Sequence, residues 1–219
     1  MIPGLVIGLA VALALVTAVL AHLALHRLPE PDAEPGKIRY RDLGSARFLT
    51  GTALLAALTA ILAWATLPAT VLPVWWVLSS IGVLLVAIDA RTTWLPLPLT
   101  RLAWLLMATA LIAVGLLAGW PTAVRGLTGA VAAGGLYFIV WWLSRGGFGF
   151  GDVRFAPLLG AATASGSWTL LLWGLAMGSF VGGAQGLVRL VRRRRDGFAY
   201  APAMFAGVYL AAVLLELGN

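Results

Sequence analysis

Apolar runs recur along this chain over 3–25, 46–66, 70–88, 102–119, 122–143, 155–165, 167–188 and 199–217, and charge almost never interrupts them. About 20 apolar residues carry a helix across the hydrocarbon core of a bilayer. Lipid offers no water to a stray backbone group, so a spanning chain must be helical or a closed barrel. A barrel needs alternating polarity, and none is visible. The runs therefore predict an all-α, polytopic membrane helix bundle of about eight transmembrane helices, the sixth of them short. Composition agrees: 61% of residues are hydrophobic and 11% charged, against roughly a quarter charged in soluble domains.

The breaks between runs carry turn residues, as in Leu67-Pro68, Gly119-Trp120-Pro121 and Ser165-Gly166-Ser167. Fourteen of the fifteen basic residues fall in alternate breaks: Arg27, Lys37, Arg39, Arg41 and Arg47 after the first span, Arg91 and Arg101 after the third, Arg145 and Arg154 after the fifth, Arg189 and Arg192 to Arg195 after the seventh. Arg125 is the exception. Lys and Arg are retained on the cytoplasmic side, so every odd span is expected to end in the cytoplasm, with the N and C termini outside. The net charge of +7 then records orientation, and no nucleic-acid partner is expected; membrane lipids are. No basic residue precedes the first span and no cleavage signature follows it, so it is read as a retained helix. Residues 26–45 are polar, with three prolines and eight charges, too short and too polar to bury a core. They form a cytoplasmic linker within a single domain over 1–219.

Of the eight acidic residues, Glu30, Asp32, Glu34 and Asp42 belong to the linker, Asp196 to the arginine run and Glu216 to the C-terminal end. Asp89 and Asp152 are left. Asp89 follows the run Ile81 to Ile88, and Asp152 follows Gly146-Gly147-Phe148-Gly149-Phe150-Gly151, which puts both at inner ends of spans. Carboxylates at that depth are costly to desolvate and are functional candidates by default. The competing reading is a solvated helix end, or pairing with Arg91 or Arg154. Should the fold bring the two within about 4 Å, repulsion of about 4 kcal/mol at an effective dielectric near 20 would leave one protonated. One carboxyl then activates a water while its neighbour protonates a peptide carbonyl. Gly149, Phe150 and Gly151 are candidate substrate-binding residues, because a segment poor in side chains lets an extended peptide approach; an ordinary flexible turn explains the glycines equally.

The segment Ile88-Asp89-Ala90-Arg91-Thr92-Thr93-Trp94-Leu95-Pro96-Leu97-Pro98-Leu99-Thr100 resembles the first aspartate motif of the type IV prepilin peptidases, and Gly149-Phe150-Gly151-Asp152-Val153-Arg154 resembles their GxGD motif. His26-Arg27-Leu28-Pro29, Arg39-Tyr40 and Ala201-Pro202-Ala203 extend the likeness over most of the chain. The resemblance implies a GxGD membrane aspartyl protease in the bacterial inner (cytoplasmic) membrane. Asp89 and Asp152 would be its catalytic dyad, and prepilins or pseudopilins its substrates, cut on the cytoplasmic side between a basic leader and a hydrophobic helix. Leu97 departs from that family's usual Asn or Asp. The cysteine-bearing insert of its bifunctional members is also absent, so cleavage without N-methylation is expected, with no separate methyltransferase domain and no cofactor.

The chain has no cysteine, which excludes disulfides and thiol catalysis. His22 and His26 share a helical face, but without a third ligand a helix-end or packing role is expected and no metal site. The tryptophans, among them Trp75, Trp76, Trp94, Trp120 and Trp168, fit interfacial belts. Gly178, Gly182, Gly183 and Gly186 suit close helix packing. A different class of function remains open: a small ion-coupled transporter or proton-relay protein using Asp89 and Asp152, which would place its acids near the middle of spans and in broken helices. The sequence carries no signal for an oligomeric state.

Overall fold

The computed structural model describes residues 3–29, 38–145, 148–192 and 199–218. Residues 30–37 of the linker, Gly146-Gly147 and all but the first arginine of the 192–195 run lie outside the described residues. Among those described, the chain forms eight long helices, one short 3-10 helix (Tyr40–Leu43) and no strand: α1 (Pro3–Arg27), α2 (Ala46–Thr66), α3 (Ala69–Thr92), α4 (Leu97–Ala118), α5 (Trp120–Ser144), α6 (Phe150–Gly166), α7 (Trp168–Val191) and α8 (Ala201–Leu217). The polytopic bundle read from the sequence is therefore observed. Six helices are long and apolar enough to cross a membrane, α6 and α8 being the shorter two.

Local chemistry sets the breaks. Ser45 and Ser167 cap α2 and α7, their side chains accepting the amides of Phe48 and Leu170 and so satisfying donors that have no intrahelical partner. Gly119 takes φ 90°, a conformation closed to most side chains, and lets α5 start one residue after α4 ends. At the end of α3, Thr93 is left-handed at φ 58° and donates its amide to the Asp89 carbonyl at 2.7 Å. This helix stop is a C-cap of the kind glycine usually supplies.

Helices α1 and α2, α5 and α6, and α7 and α8 pack as pairs. The last two pairs depend on bare glycine. A Cβ on Gly160 would collide with the Gly129 carbonyl, and one on Gly207 with the Gly178 backbone, so these backbones touch directly. Of the small-residue stripe in α7, Gly178 and Gly182 pack as expected, the latter beneath the Tyr200 ring; Gly183 and Gly186 face open space. Gly183 is turned about 100° from Gly182 around the helix, and Gly186 lies one turn beyond it.

Helix α3 is the core of the bundle: 78% of its apolar window is buried, against 22–28% in the other long spans. It is α-helical over Leu72–Val77 and Val83–Thr92 and π-helical over Leu78–Gly82. Within the π segment, Ser79 hydrogen-bonds the Tyr209 hydroxyl of α8 at 2.8 Å. Burial of α3 corrects the reading of Trp75 as an interfacial residue: it is fully buried and meets the Tyr209 ring edge-on at 5.2 Å. Trp120 and Trp168, half exposed at helix starts, do fit a belt.

Arg125, the exception to the charge pattern, reaches from α5 to the end of α6. Its guanidinium donates to the carbonyls of Ala164, Ser165 and Gly166 at 2.6–3.1 Å. These are acceptors the helix cannot satisfy itself, so the cation caps α6 and offsets its dipole. Replacing Arg125 by Ala is expected to lower stability by about 1.5–3 kcal/mol, the range for hydrogen bonds to a charged group, seen as an earlier thermal unfolding midpoint in detergent. Lys, with one nitrogen in place of the fork, should recover less than half of the loss.

Candidate active site

The described parts of the connections after α1, α3, α5 and α7 gather at one end of the bundle. Pro29, Tyr40, Asp89, Trp94, Gly149 and Asp152 line a single cavity of about 610 Å³ there, and Ala201 interacts with both aspartates. The opposite end carries the α2–α3 and α6–α7 turns beside Leu215 and Glu216 of α8. The described basic residues of these breaks thus share the end that holds the two unexplained acids.

Asp89 lies one turn before the end of α3, and Asp152 in the first turn of α6. They are 3% and 7% exposed, which removes the reading in which each is a solvated helix end. Pairing with neighbouring arginines fails as well. Among the described residues neither acid has an ion pair; Arg91 is exposed, and the Arg154 guanidinium lies 4.6 Å from the centre of the Phe150 ring. The two carboxyls are close enough to interact electrostatically. Both also meet the amide of Ala201, the first residue of α8, where the free N–H groups and dipole of a helix start favour negative charge. Asp89 Oδ2 and Asp152 Oδ1 are buried with no hydrogen-bond partner among the described residues. Buried polar oxygens left unpaired are rare, and they make this cavity a functional-site candidate.

The GxGD segment differs from the expected extended or flexible stretch. Gly149 caps α6, while Phe150 and Gly151 are already helical. A peptide can therefore pair in extended form with the backbone at Gly149, but not along Phe150 and Gly151, whose geometry is set by the helix. The glycines serve proximity instead. A Cβ on Gly149 would stand 2.9 Å from Asp152 Oδ2, and one on Gly151 3.2 Å from the Leu95 side chain.

Several cavity residues fall in or near the family-like motifs without being singled out as site residues by the sequence. Trp94, expected in a belt, lines the cavity with Leu95 and Pro96, and Tyr40 lies buried at its margin. Behind Asp152, Tyr137 stacks on Phe148 at 5.7 Å, and Tyr200 meets Phe148 edge-on at 5.1 Å. Nothing local separates these aromatics from the many that face lipid. His22 and His26, both exposed, meet edge to face at 4.8 Å.

Residues 76–187, about half the chain and including both aspartates, match the model of the type IV leader peptidase family. The chain belongs to that family. This leader peptidase relative is thus a multi-pass membrane protein of a protease family, as the motifs around Asp89 and Asp152 implied. The matched region runs from within α3 into α7, so it contains the Asp89 half of the buried core helix and every residue of the GxGD segment. No curated protein and no solved structure gives a significant match.

Proposed function

We propose that this leader peptidase is an aspartyl endopeptidase of the GxGD class, and that Asp89 and Asp152 are its catalytic pair. The observation that carries the proposal is the convergence of two buried carboxyls, remote in sequence, on one cavity at the basic end of the bundle. With one proton between them, the ionised carboxyl takes a proton from a water whose oxygen attacks the scissile carbonyl carbon. The protonated carboxyl gives its proton to the carbonyl oxygen. Collapse of the tetrahedral species transfers a proton to the leaving nitrogen and breaks the C–N bond. The unpaired oxygens Asp89 Oδ2 and Asp152 Oδ1 suit this work, and the Ala201 amide holds the pair without neutralising it.

The substrates fitting this reading are prepilin-like peptides, cut between a basic leader and an apolar helix at the cytoplasmic face, without N-methylation. The basic residues around the site support the cytoplasmic side. Gly149, Phe150 and Gly151 would bound the peptide beside Asp152. An ion-transport role has less support, because the acids sit at one end of the bundle and not at mid-span.

The test is purified protein in lipid, mixed with a prepilin and followed by product mass. Cleavage at the leader boundary is expected; an intact substrate after prolonged incubation, with folded protein, would sink the proposal. The same assay checks Gly149. Gly149→Ala should cut kcat about tenfold, since one methyl against the Asp152 carboxylate displaces it by a few tenths of an ångström and catalysis is sensitive to such misplacement. Gly135→Ala, whose Cβ meets nothing, should leave the rate unchanged.

A further inference from the structure

A second cavity of about 640 Å³ opens between the start of α2 and the end of α3. Arg47 and Arg91 line it, and both are exposed. Among the described residues neither has a carboxylate partner. Two cations held in one groove repel, and an anion between them relieves that repulsion. The remaining wall is of another kind: Gly51, Leu55 and Ala87 continue the groove along the spanning parts of α2 and α3. A Cβ on Gly51 would meet nothing within 4 Å, so the slot beside it is open. Ser45 caps α2 at the polar end, where the helix start also favours negative charge.

We infer that this groove binds one anionic phospholipid, its phosphate between Arg47 and Arg91 and an acyl chain along Gly51, Leu55 and Ala87. A free phosphate would satisfy the cations and leave the apolar slot unused, whereas a membrane lipid matches both halves. Basic pockets between spanning helices bind headgroups in this way. The site is separate from the aspartate cavity: Arg91 lies two positions after Asp89, which turns it about 200° away around the helix. Lipid binding there is independent of whether the aspartates cut peptides.

Delipidated protein in detergent, titrated with phosphatidylglycerol or with phosphatidylcholine of the same chains and followed by native mass spectrometry, tests it. One phosphatidylglycerol should bind in preference. The double variant Arg47→Ala/Arg91→Ala should lose that preference about thirtyfold, roughly fivefold per charge, while Arg101→Ala, an exposed arginine outside the groove, keeps it. Gly51→Phe, which retains both charges and fills the slot, should weaken lipid binding without changing the unfolding temperature of the lipid-free protein. Equal binding of the two lipids, or a preference that survives the double variant, overturns the inference. So does displacement by millimolar inorganic phosphate that leaves the Gly51→Phe variant as competent as the parent, because the site would then be one for a soluble anion.

Discussion

Asp89→Asn and Asp152→Asn should each slow prepilin cleavage between about a hundredfold and ten-thousandfold, the span expected when a general acid or base is lost, while the protein unfolds at the same temperature or higher. The two halves of this expectation have one cause. Asp89 and Asp152 are buried with an oxygen apiece left unpaired, and a carboxylate desolvated beside another is a cost to folding. Asn keeps the shape and removes the charge, so stability is retained or gained as activity disappears. Carboxyls that share one proton titrate as a unit, so on this reading the parent rate should fall on both sides of a pH maximum, where either both protons or neither are held. Cleavage at the parent rate by either Asn variant would show that the cavity is not where peptide bonds are broken. Loss of activity with a lower unfolding temperature would instead mean that the aspartates hold the fold together.

Gly160→Ala should be the more damaging change to the fold, costing about 1–3 kcal/mol through overpacking, although it adds a single methyl. That methyl would press on the backbone of Gly129 across the α5–α6 seam, and a backbone cannot rotate aside as a side chain can. The two helices must separate, and α6, which carries Asp152 in its first turn, is pushed off the neighbour it packs against most extensively. Thermal unfolding in detergent measures the effect. Gly135→Ala, on the same helix as Gly129 but facing open space, should leave the midpoint within about 0.5 kcal/mol of the parent, as surface changes do. Equal midpoints for Gly160→Ala and Gly135→Ala would mean that the close approach is not needed.

Much of this protein is legible in its sequence because the bilayer admits so few solutions. Runs of apolar residues without charge must be helices, and alternation of Arg-rich breaks orders them into an up-and-down bundle with its basic ends together. Two acids unexplained by any loop, each inside a recognisable motif, point to the site without any geometry. Helix limits are less legible. Polarity and glycine place Leu97 to Arg101 and Phe150 to Arg154 outside the apolar runs, yet both are helical: Pro98 suits a helix start, and the Asp152 carboxylate sits well in a first turn.

The tertiary structure alone decided which helix is central and which groups meet. Hydropathy rates α3 among the other spans, since lipid and protein interior reward the same apolar side chains, and so neither its burial nor that of Trp75 could be read from the pattern. The Ala201 amide is invisible for a similar reason: nearly every residue has one, and it matters here only because α8 begins beside two carboxyls. Periodicity along the chain reports what each segment needs from its surroundings; which segment answers that need is fixed by packing across the bundle.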